Sequence, residues 1–514
     1  MNTKLLPALL LLTAAVFVML PGTVVSKNYP PIDLMMNHID MDRRHIPNGA
    51  TIQLEAKSFV KNINGSNVTM YGYDGRTPGP LIKVKQGSSI YVNFTNNLDI
   101  ETTVHWHGLR LKNRFDGVPM MTQEPVKPGE SFLYKLDFPD EGIYWYHSHI
   151  RDDIGQEMGL YGNILVEPSK HISSSVDKAA VLFLDDIKVV DGGIHPFNED
   201  YADFTLTGRF GNIMLINGET DYQLKNVEKG EIIRFYLTNS ANTRTFNFSI
   251  ENAMMKLIGG DSGRYENETF VDSIILGIGE RYIVDVFFDK SGTFRILNNI
   301  PEESGMMAMH ELGTIMVSDK TPPFSKNEIF SLLEKNYDVI NEMAPFKNYH
   351  HTEPDYKLDL TVDILDEELT HHLEAMMMTV EPIEWEENMD MAMVNSMSTS
   401  ENLKWIIKDN ATGKENPSYP VKTGDIKKIR IFNDPESMHP MQHPMHLHGQ
   451  RFLVLTQDGE SSDNLVWKDT VLVPAGSTID ILVEFSNPGV WLMHCHIPEH
   501  AEAGMMASFT VHEL

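Results

Sequence analysis

The 514-residue chain contains a single cysteine, Cys495, and far fewer basic than acidic residues. One cysteine excludes an intrachain disulfide framework and a metal cluster held by cysteines alone. Lysine and arginine together number 42 against 72 aspartate and glutamate residues, and the formal net charge is -30. This balance argues against a nucleic-acid partner, because such a partner needs a basic face. The length is too great for one sandwich or barrel and predicts two to four domains.

Helical periodicity is also scarce, and the best short candidate runs from Lys326 to Tyr337. A pattern that occurs three times is far more prominent. A valine, a turn glycine and a terminal asparagine keep one register in VKQGSSIYVNFTN (84–96), VEKGEIIRFYLTN (227–239) and VKTGDIKKIRIFN (421–433). After each copy, two glycines at constant spacing enclose alternating apolar residues, which is typical of half-buried strands. The sequence therefore predicts an all-β protein of three homologous Greek-key β-sandwich domains.

The first 26 residues have the pattern of an export signal. Lys4 precedes an apolar run that ends at Pro21-Gly22, and Val24 and Ser26 stand where small residues precede a cleavage site. We expect export to the periplasm, cell surface or extracellular space, with an uncleaved membrane anchor as the alternative. The predicted units are a signal peptide (1–26), a first domain (27–170), a second domain (171–320), a linker (321–355) and a third domain (356–514).

Four H-x-H pairs occupy matched positions in the first and third repeats. They are His105 and His107, His147 and His149, His446 and His448, and His494 and His496. Side chains at i and i+2 of a strand point to the same face, so each pair presents two imidazoles side by side. The second repeat has Phe246-Asn247-Phe248 and Leu297-Asn298-Asn299 at these places. We therefore expect several metal ions between the first and third domains, and a second domain without ligands that acts as a spacer.

Cys495 lies between two of these histidines, and its side chain points to the opposite face of the predicted strand. With His443, His500 and Met505 it forms a set of two imidazoles, one thiolate and one thioether, which is the donor set of blue copper. Zinc is the alternative metal, and Met506 is the alternative thioether by composition. Because short peptide links join the thiolate to paired histidines, electrons taken there are expected to reach a cluster that reduces dioxygen to water.

Four segments together resemble the signatures of the three-domain multicopper oxidases, which include laccases and bacterial cuprous oxidases. They are HWHG (His105 to Gly108), HSH (His147 to His149), HPMHLHG (His443 to Gly449) and HCHIPEHAEAGM (His494 to Met505). The resemblance implies cupredoxin domains, four copper ions, dioxygen as acceptor, and a small phenol or a metal ion such as Cu(I) as reductant. It implies a type 1 copper on His443, Cys495, His500 and Met505, a type 2 copper on His105 and His446, and a type 3 pair on His107, His147, His149, His448, His494 and His496.

Two acidic positions bear on proton supply. Asp116, in FDGVP, matches a family carboxylate that relays protons near the type 2 copper, and the alternative is an ordinary Asp-Gly turn. With Cys495, His494 and His496, it completes the predicted catalytic set. Some bacterial members carry an acid directly after the last type 1 histidine. This chain has Ala501 there and Glu502 one place later.

The 30 methionines are concentrated partly in a methionine-rich segment, residues 376–397. It resembles the inserts of bacterial cuprous oxidases, and thioethers are soft ligands suited to Cu(I). The candidate ligands for a substrate metal are Met376, Met377, Met378, Met389, Met391 and Met393. Core packing of methionine is the alternative, and nearby acidic residues could instead attract Fe(II) or Mn(II). A water-facing type 1 histidine would instead admit phenols.

Two further functions stay open at this stage. A non-enzymatic copper-binding or copper-tolerance protein would use the same donors, although storage needs no thiolate joined to a cluster. A copper nitrite reductase shares the fold, although it does not need eight paired histidines. Oxygen uptake by the copper-loaded protein separates these functions from an oxidase.

Overall fold

The computed structural model describes residues 33–35, 45–169, 175–302, 306–320, 326–376 and 380–513. The predicted signal peptide lies outside these ranges, as do Met377 and Met378. The described part is built mainly from β-strands, so the expected all-β fold is confirmed. In the same ranges, no helix combines the length and the apolar character needed to cross a membrane.

The first sandwich encloses a core between a four-stranded and a three-stranded sheet. In spatial order, the four strands are Ser66–Tyr73, Thr51–Ile63, Ser89–Asn97 and Ser131–Asp137. The three strands are Ile82–Lys85, Tyr161–Glu167 and Gly142–His147. Alternation places Ile90, Val92 and Phe94 of one strand in this core.

The middle sandwich is built in the same way from a larger and a smaller sheet. The larger has the strands Asp33–Met35, Lys178–Ile187, Ile232–Asn239, Arg281–Phe287, Met254–Gly260 and Gly263–Val271, with Ile213–Ile216 also paired to Lys178–Ile187. The smaller has Tyr222–Glu228, Met307–Ser318, Gly292–Pro301, Phe246–Ile250 and Ile274–Leu276. Val189–Val190 and Gly193–Ile194 form a separate short ribbon.

The third sandwich carries the C-terminal part of the chain. One sheet has the strands Leu403–Asp409, Tyr356–Ile364, Ile426–Asn433, Thr478–Glu484, Arg451–Gln457 and Glu460–Ser461. The other has Ser418–Lys422, Met506–His512, Gly489–Cys495, His443–Leu447 and Thr470–Val473.

The three sandwiches share a strand order that follows the sequence pattern. In each, the strand ending in the repeated asparagine pairs in parallel with an earlier strand and antiparallel with the strand after the first glycine of the pair. The strand that starts at the second glycine begins at Gly142, Gly292 and Gly489. Because these strands are equivalent, residues at matched repeat positions occupy matched places in space.

The helices are short and lie outside the sheets, and the helices Glu367–Ala375 and Met389–Met397 each pack one face against the core of the third sandwich. The α-helices are Asp152–Glu157, Asn327–Phe330, Tyr337–Met343, Glu367–Ala375, Met389–Met397 and Pro498–Glu502, and the 3-10 helices are Asn113–Phe115 and Ala344–His351. The sequence predicted a helix from Lys326 to Tyr337. The structure has a single helical turn there, Asn327–Phe330, and residues 331–336 are not helical. Val339 and Met343 of the predicted linker pack against Leu453 and Trp467 of the third sandwich.

Candidate metal centres

The paired histidines meet where the first and third sandwiches face each other. Main-chain hydrogen bonds of 2.8 and 3.1 Å join His105 and His147, and His446 lies opposite His494 on antiparallel strands. Across the domain boundary, the ring of His105 stacks on His448 with centroids 3.9 Å apart. The ring of His107 stacks on His446 at 3.6 Å. The described structure therefore brings the predicted histidine pairs together.

Donor atoms of the eight histidines form compact groups that each draw on both domains. Two groups share no residue and each places three donor atoms within 4.8 Å of one another: His107, His147 and His496, and His149, His448 and His494. The closest approaches are 3.2 Å between His107 Nδ1 and His496 Nε2 and 3.0 Å between His448 Nε2 and His494 Nε2. A third group joins His105 and His446 with His107. The six histidines expected at the type 3 pair thus divide three and three.

Hydrogen bonds orient four of these rings in one way. The Nδ1 atoms of His105, His147, His446 and His494 lie 2.6 to 2.9 Å from the backbone carbonyls of Asp116, Ser148, Asp469 and Cys495, respectively. A neutral imidazole that donates from Nδ1 keeps a lone pair on Nε2. The Nε2 atoms of His105, His147 and His446 are buried and have no hydrogen-bond partner. Orphaned acceptors that converge in a buried site fit the coordination of metal ions.

Two buried carboxylates each contact one nitrogen of a further histidine ring. Asp116 Oδ2 is 2.8 Å from His448 Nδ1, and Asp469 Oδ1 is 3.0 Å from His107 Nε2. Asp116 therefore lies at the cluster, where the sequence expected it, and its Oδ1 is 3.4 Å from His105 Nδ1. Carboxylates that accept from a ligand's second nitrogen fix its tautomer and raise its basicity. Asp469 was not predicted, since KDT before a strand carries no signal of a metal site.

The lone thiol lies in a separate triangle of donors. Cys495 Sγ is 3.6 Å from His443 Nδ1 and 3.7 Å from His500 Nδ1, and the two nitrogens are 3.3 Å apart. Three donors that share an ion in one plane, about 2.1 Å from it, lie roughly 3.6 Å from one another. Met505 is fully buried in the core that contains Cys495, whereas Met506 is half-buried. The donor set and spacing fit a copper ion of the blue type.

A tryptophan that the sequence did not single out covers this triangle. Trp405 is fully buried and stacks on His500, with ring centroids 4.3 Å apart and planes at 26°. Its edge meets His443 at 4.8 Å, and its Nε1 donates to the Thr205 carbonyl of the middle sandwich at 2.7 Å. The imidazoles of the thiol centre are therefore held by contacts that span two domains.

Burial sets the protonation states of both centres. Burial lowers the pKa of His443 to about 3 and that of His494 to about 4, and burial together with the neighbouring rings lowers the pKa of His446 and His448 well below the usual range. These four imidazoles are therefore neutral at neutral pH, which is the form that binds metal. Burial raises the pKa of the Cys495 thiol, so the thiolate requires a positive ion beside it.

Buried carboxyl groups lie beside the cluster around His149. Asp152 Oδ2 is 3.6 Å from His149 Nδ1, and Asn242 donates to Glu499 Oε1 at 2.9 Å and to the Asp153 carbonyl at 3.0 Å. Burial raises the pKa of Glu499 to about 8. The position after His500 holds Ala501, as the sequence showed, but acidic groups still reach this side of the cluster.

The structure does not gather the candidate methionines into one site. Met391 is buried in the third sandwich's core, and Met376 is half-buried against that core. Met389 and Met393 lie one helical turn apart and are exposed, at 90% and 57%. Met377 and Met378 fall outside the described residues. Core packing therefore accounts for Met391, while metal binding by the exposed pair stays a prediction.

These observations define a class of protein: three β-sandwiches that carry a soft three-donor metal site joined through one short peptide to a buried cluster of eight imidazoles. Among the described residues, no group of three adjacent His, Cys, Asp or Glu ligands lies in the middle sandwich.

Comparisons with known proteins agree with that class. Multicopper oxidase family models match residues 56–171, 197–315 and 385–514. Multicopper oxidase MmcO of Mycobacterium tuberculosis is 28% identical over 499 residues, covering 90% of this chain and 87% of that protein. Laccase-1 of Fomitopsis schrenkii is 27% identical, with 89% and 85% covered. The structure of a multicopper oxidase from Campylobacter jejuni, described as a metallo-oxidase, shares the fold with a TM-score of 0.70, 23% identity and 94% of both chains covered.

The chain belongs to the multicopper oxidase family. It is therefore an oxidoreductase of the class that uses oxygen, and membership implies that it binds copper. The resemblance carried by the four histidine segments is confirmed, as is the prediction of an enzyme rather than a storage protein.

Proposed function

We propose that the protein is an exported oxidase of metal ions, with Cu(I), Fe(II) and Mn(II) as candidates. The type 1 copper would be held by His443, Cys495, His500 and Met505, the type 2 copper by His105 and His446, and the two type 3 coppers by His107, His147 and His496 and by His149, His448 and His494. These four coppers, when bound, supply one-electron oxidation of the substrate and four-electron reduction of dioxygen to water. Export is supported by the pattern of residues 1–26.

The chain itself provides the route between the two centres. Cys495 is bonded through the backbone to His494 on one side and His496 on the other. These two histidines belong to different triads of donor atoms. The thiolate is thus linked covalently to a ligand of each proposed type 3 position, which supports transfer of electrons from the type 1 site to the cluster.

Burial of the type 1 ligands favours a metal ion over a phenol. His443 and His500 are 1% and 0% exposed, so a phenol ring has no imidazole edge to contact. Electrons must therefore enter through side chains that reach the surface. The sequence left phenols and metal ions open as reductants and linked phenols to a water-facing type 1 histidine, whereas His443 and His500 are both buried.

One observation carries the proposal: a buried histidine without hydrogen-bond partners faces a carboxylate beside the type 1 centre. His439 is fully buried, and neither of its ring nitrogens has a hydrogen-bond partner. Its Nε2 lies 3.4 Å from Glu384 Oε1, a spacing at which both atoms can bind one ion. Backbone-to-side-chain hydrogen bonds of 2.8 and 3.1 Å between Glu384 and Gln442 hold the carboxylate's segment in place.

The same pair is close to both the surface and the type 1 ligands. Burial lowers the pKa of both His443 and His500, and the closeness of His439 lowers the pKa of each further, so His439 lies near both imidazoles. The neighbouring Met438 is 39% exposed, and its thioether suits a soft ion. An ion held by His439 and Glu384 would therefore sit between solvent and the electron acceptor.

Replacing the pair should separate metal oxidation from phenol oxidation. We expect His439→Ala and Glu384→Gln each to raise the KM for Cu(I), Fe(II) or Mn(II) about 10-fold, because each removes one ligand. The KM for a phenolic dye should not change. The measurement is oxygen uptake by copper-loaded enzyme with each reductant.

His310→Ala is a matched control, because His310 Nε2 also faces a glutamate, Glu386, at 4.0 Å but lies in the middle sandwich. It should leave every KM unchanged. Equal losses on metals and on the dye in His439→Ala would refute the metal-entry role, and no uptake with any reductant would refute the oxidase itself.

The pH dependence of metal oxidation should follow Glu384. Burial raises the pKa of this carboxyl to about 7, and only the carboxylate binds a cation. As the pH falls from 8 to 6, the ionised fraction decreases about 10-fold, so the KM for the metal should rise by a similar factor. Initial rates across this range test the prediction. Glu384→Gln should abolish the dependence, and an unchanged profile in that variant would contradict it.

A further inference from the structure

The middle sandwich supplies an arginine to the wall of the copper cluster. Arg281 is fully buried at the start of the strand Arg281–Phe287. Its guanidinium donates to both oxygens of Asp469 in the third sandwich, at 2.5 and 2.6 Å. It also donates to the Ile143 carbonyl of the first sandwich at 3.0 Å and to the Gly279 carbonyl at 2.9 Å. One side chain therefore ties all three sandwiches together.

Asp469 transmits this contact to two cluster histidines. Its Oδ1 is 3.0 Å from His107 Nε2, and its backbone carbonyl is 2.9 Å from His446 Nδ1. Asp261 holds the backbones of both residues of the pair. Its Oδ1 accepts a hydrogen bond from the Arg281 backbone N–H at 2.9 Å, and its Oδ2 accepts one from the Asp469 backbone N–H at 3.2 Å. Both ends of the Arg281–Asp469 pair are thereby fixed.

The pair explains an exception among the eight cluster rings. His107 turns Nδ1 toward His496, whereas His105, His147, His446 and His494 use Nδ1 for a hydrogen bond to a backbone carbonyl, so that Nε2 is the nitrogen left to face the cluster. Because Asp469 accepts the Nε2 proton of His107, the lone pair of that ring is on Nδ1. A charged acceptor held by a bidentate arginine makes this tautomer the stable one.

The backbone next to Arg281 lies close against two of the cluster rings. Gly279 has φ of +79°, and a Cβ there would lie 3.2 Å from both His107 Cε1 and His496 Cδ2. A Cβ at Gly108 would meet Asp469 Oδ2 at 2.3 Å. The middle sandwich thus touches the cluster directly, and its description as a spacer is incomplete.

We propose that Arg281 is a positioning residue for the copper cluster, acting through Asp469 on the ring orientation of His107 and His446. The proposal rests on the cluster ligands assigned above. The middle sandwich contributes no histidine to the site. Through Arg281 it nevertheless affects the copper occupancy and the geometry of that site.

The test compares Arg281→Lys with Arg234→Lys. Lysine keeps the charge but cannot form the two parallel hydrogen bonds. Arg234 is a matched control, because it makes the same bidentate pair with Asp285, at 2.7 and 2.8 Å, within the same sheet. We expect Arg281→Lys to hold cluster copper about 10- to 100-fold more weakly in a chelator titration. The type 2 electron paramagnetic resonance signal should change, and the blue type 1 absorption should persist.

Arg234→Lys should match the wild type in both signals. Unchanged cluster copper and an unchanged type 2 signal in Arg281→Lys would overturn the proposal, as would an equal loss in Arg234→Lys. Should Arg281→Lys fail to fold, Asp469→Asn tests the same link, and full cluster occupancy in that variant would equally overturn it. A wild-type protein without type 2 and type 3 signals would refute the ligand assignment instead.

Discussion

Replacing Cys495 with serine is expected to remove the blue absorption and the oxygen uptake together. The thiolate is the only soft anionic donor in the triangle with His443 and His500, and the blue colour depends on the copper–thiolate bond. Serine is close in volume to cysteine, so the buried strand Gly489–Cys495 should keep its position. His494 and His496 should therefore still face the cluster.

The measurement pairs absorption and oxygen uptake with the type 2 electron paramagnetic resonance signal. In Cys495→Ser we expect the blue absorption and the oxygen uptake to vanish and the type 2 electron paramagnetic resonance signal to remain. Met505→Leu is the matched control, because it removes a neighbouring sulfur but keeps the thiolate and both imidazoles, and it should stay blue. A blue and active Cys495→Ser variant would refute the assignment of the type 1 centre.

The residues that could be predicted from sequence are those whose geometry is local. On a strand, i and i+2 share a face, so each H-x-H segment alone places its two imidazoles together. The repeats then place His105 and His446 at equivalent positions of two sandwiches. The first and third sandwiches face each other with these positions at their interface. The histidines of the two domains therefore meet, as the stacking of His107 on His446 shows.

The residues that could not be predicted act across domain boundaries. Asp469 lies 362 residues from His107, the ring it supports, and Arg281 lies 188 residues from Asp469. Arg281 begins an ordinary strand and Asp469 directly precedes another, and only the docking of three sandwiches brings them together. Because the middle repeat has no H-x-H segment, its sequence carries no signal that Arg281 reaches the cluster.

Burial is the second property that a linear pattern could not supply. The acidic and methionine-rich stretch predicted a single metal-binding loop, but the helix Met389–Met397 has two faces. Met391 and Val394 point into the core, whereas Met389 and Met393 face solvent. Similarly, His439 is distinguished by two buried nitrogens without partners, which no spacing reveals.

Removing the carboxyl group of Asp116 should slow the reduction of dioxygen and leave the oxidation of substrate intact. Asp116 contacts His448 and His105 behind the cluster, and its Oδ1 is buried without a hydrogen-bond partner. It can therefore orient a ligand and also hold a proton beside the cluster. We expect Asp116→Ala to reduce turnover about 100-fold, the range of a lost proton-transfer group.

Two kinetic phases identify the step that is lost. Anaerobic bleaching of the blue absorption by substrate should occur at the wild-type rate, because the type 1 triangle does not contact Asp116. Recovery of the blue colour on mixing with dioxygen should be slow. Asp185→Asn is a control for the loss of a buried carboxyl group, since Asp185 accepts a hydrogen bond from Tyr161 at 2.5 Å and belongs to none of the histidine groups of the cluster.

Asp116→Asn then separates orientation from proton transfer. The amide oxygen can still accept a hydrogen bond from His448 Nδ1, but an amide group neither takes up nor releases a proton at neutral pH. If Asp116 holds a proton during turnover, Asp116→Asn should be as slow as Asp116→Ala. Recovery at the wild-type rate in Asp116→Asn would contradict the proton role and leave Asp116 as a support for His448, equivalent to Asp469 behind His107.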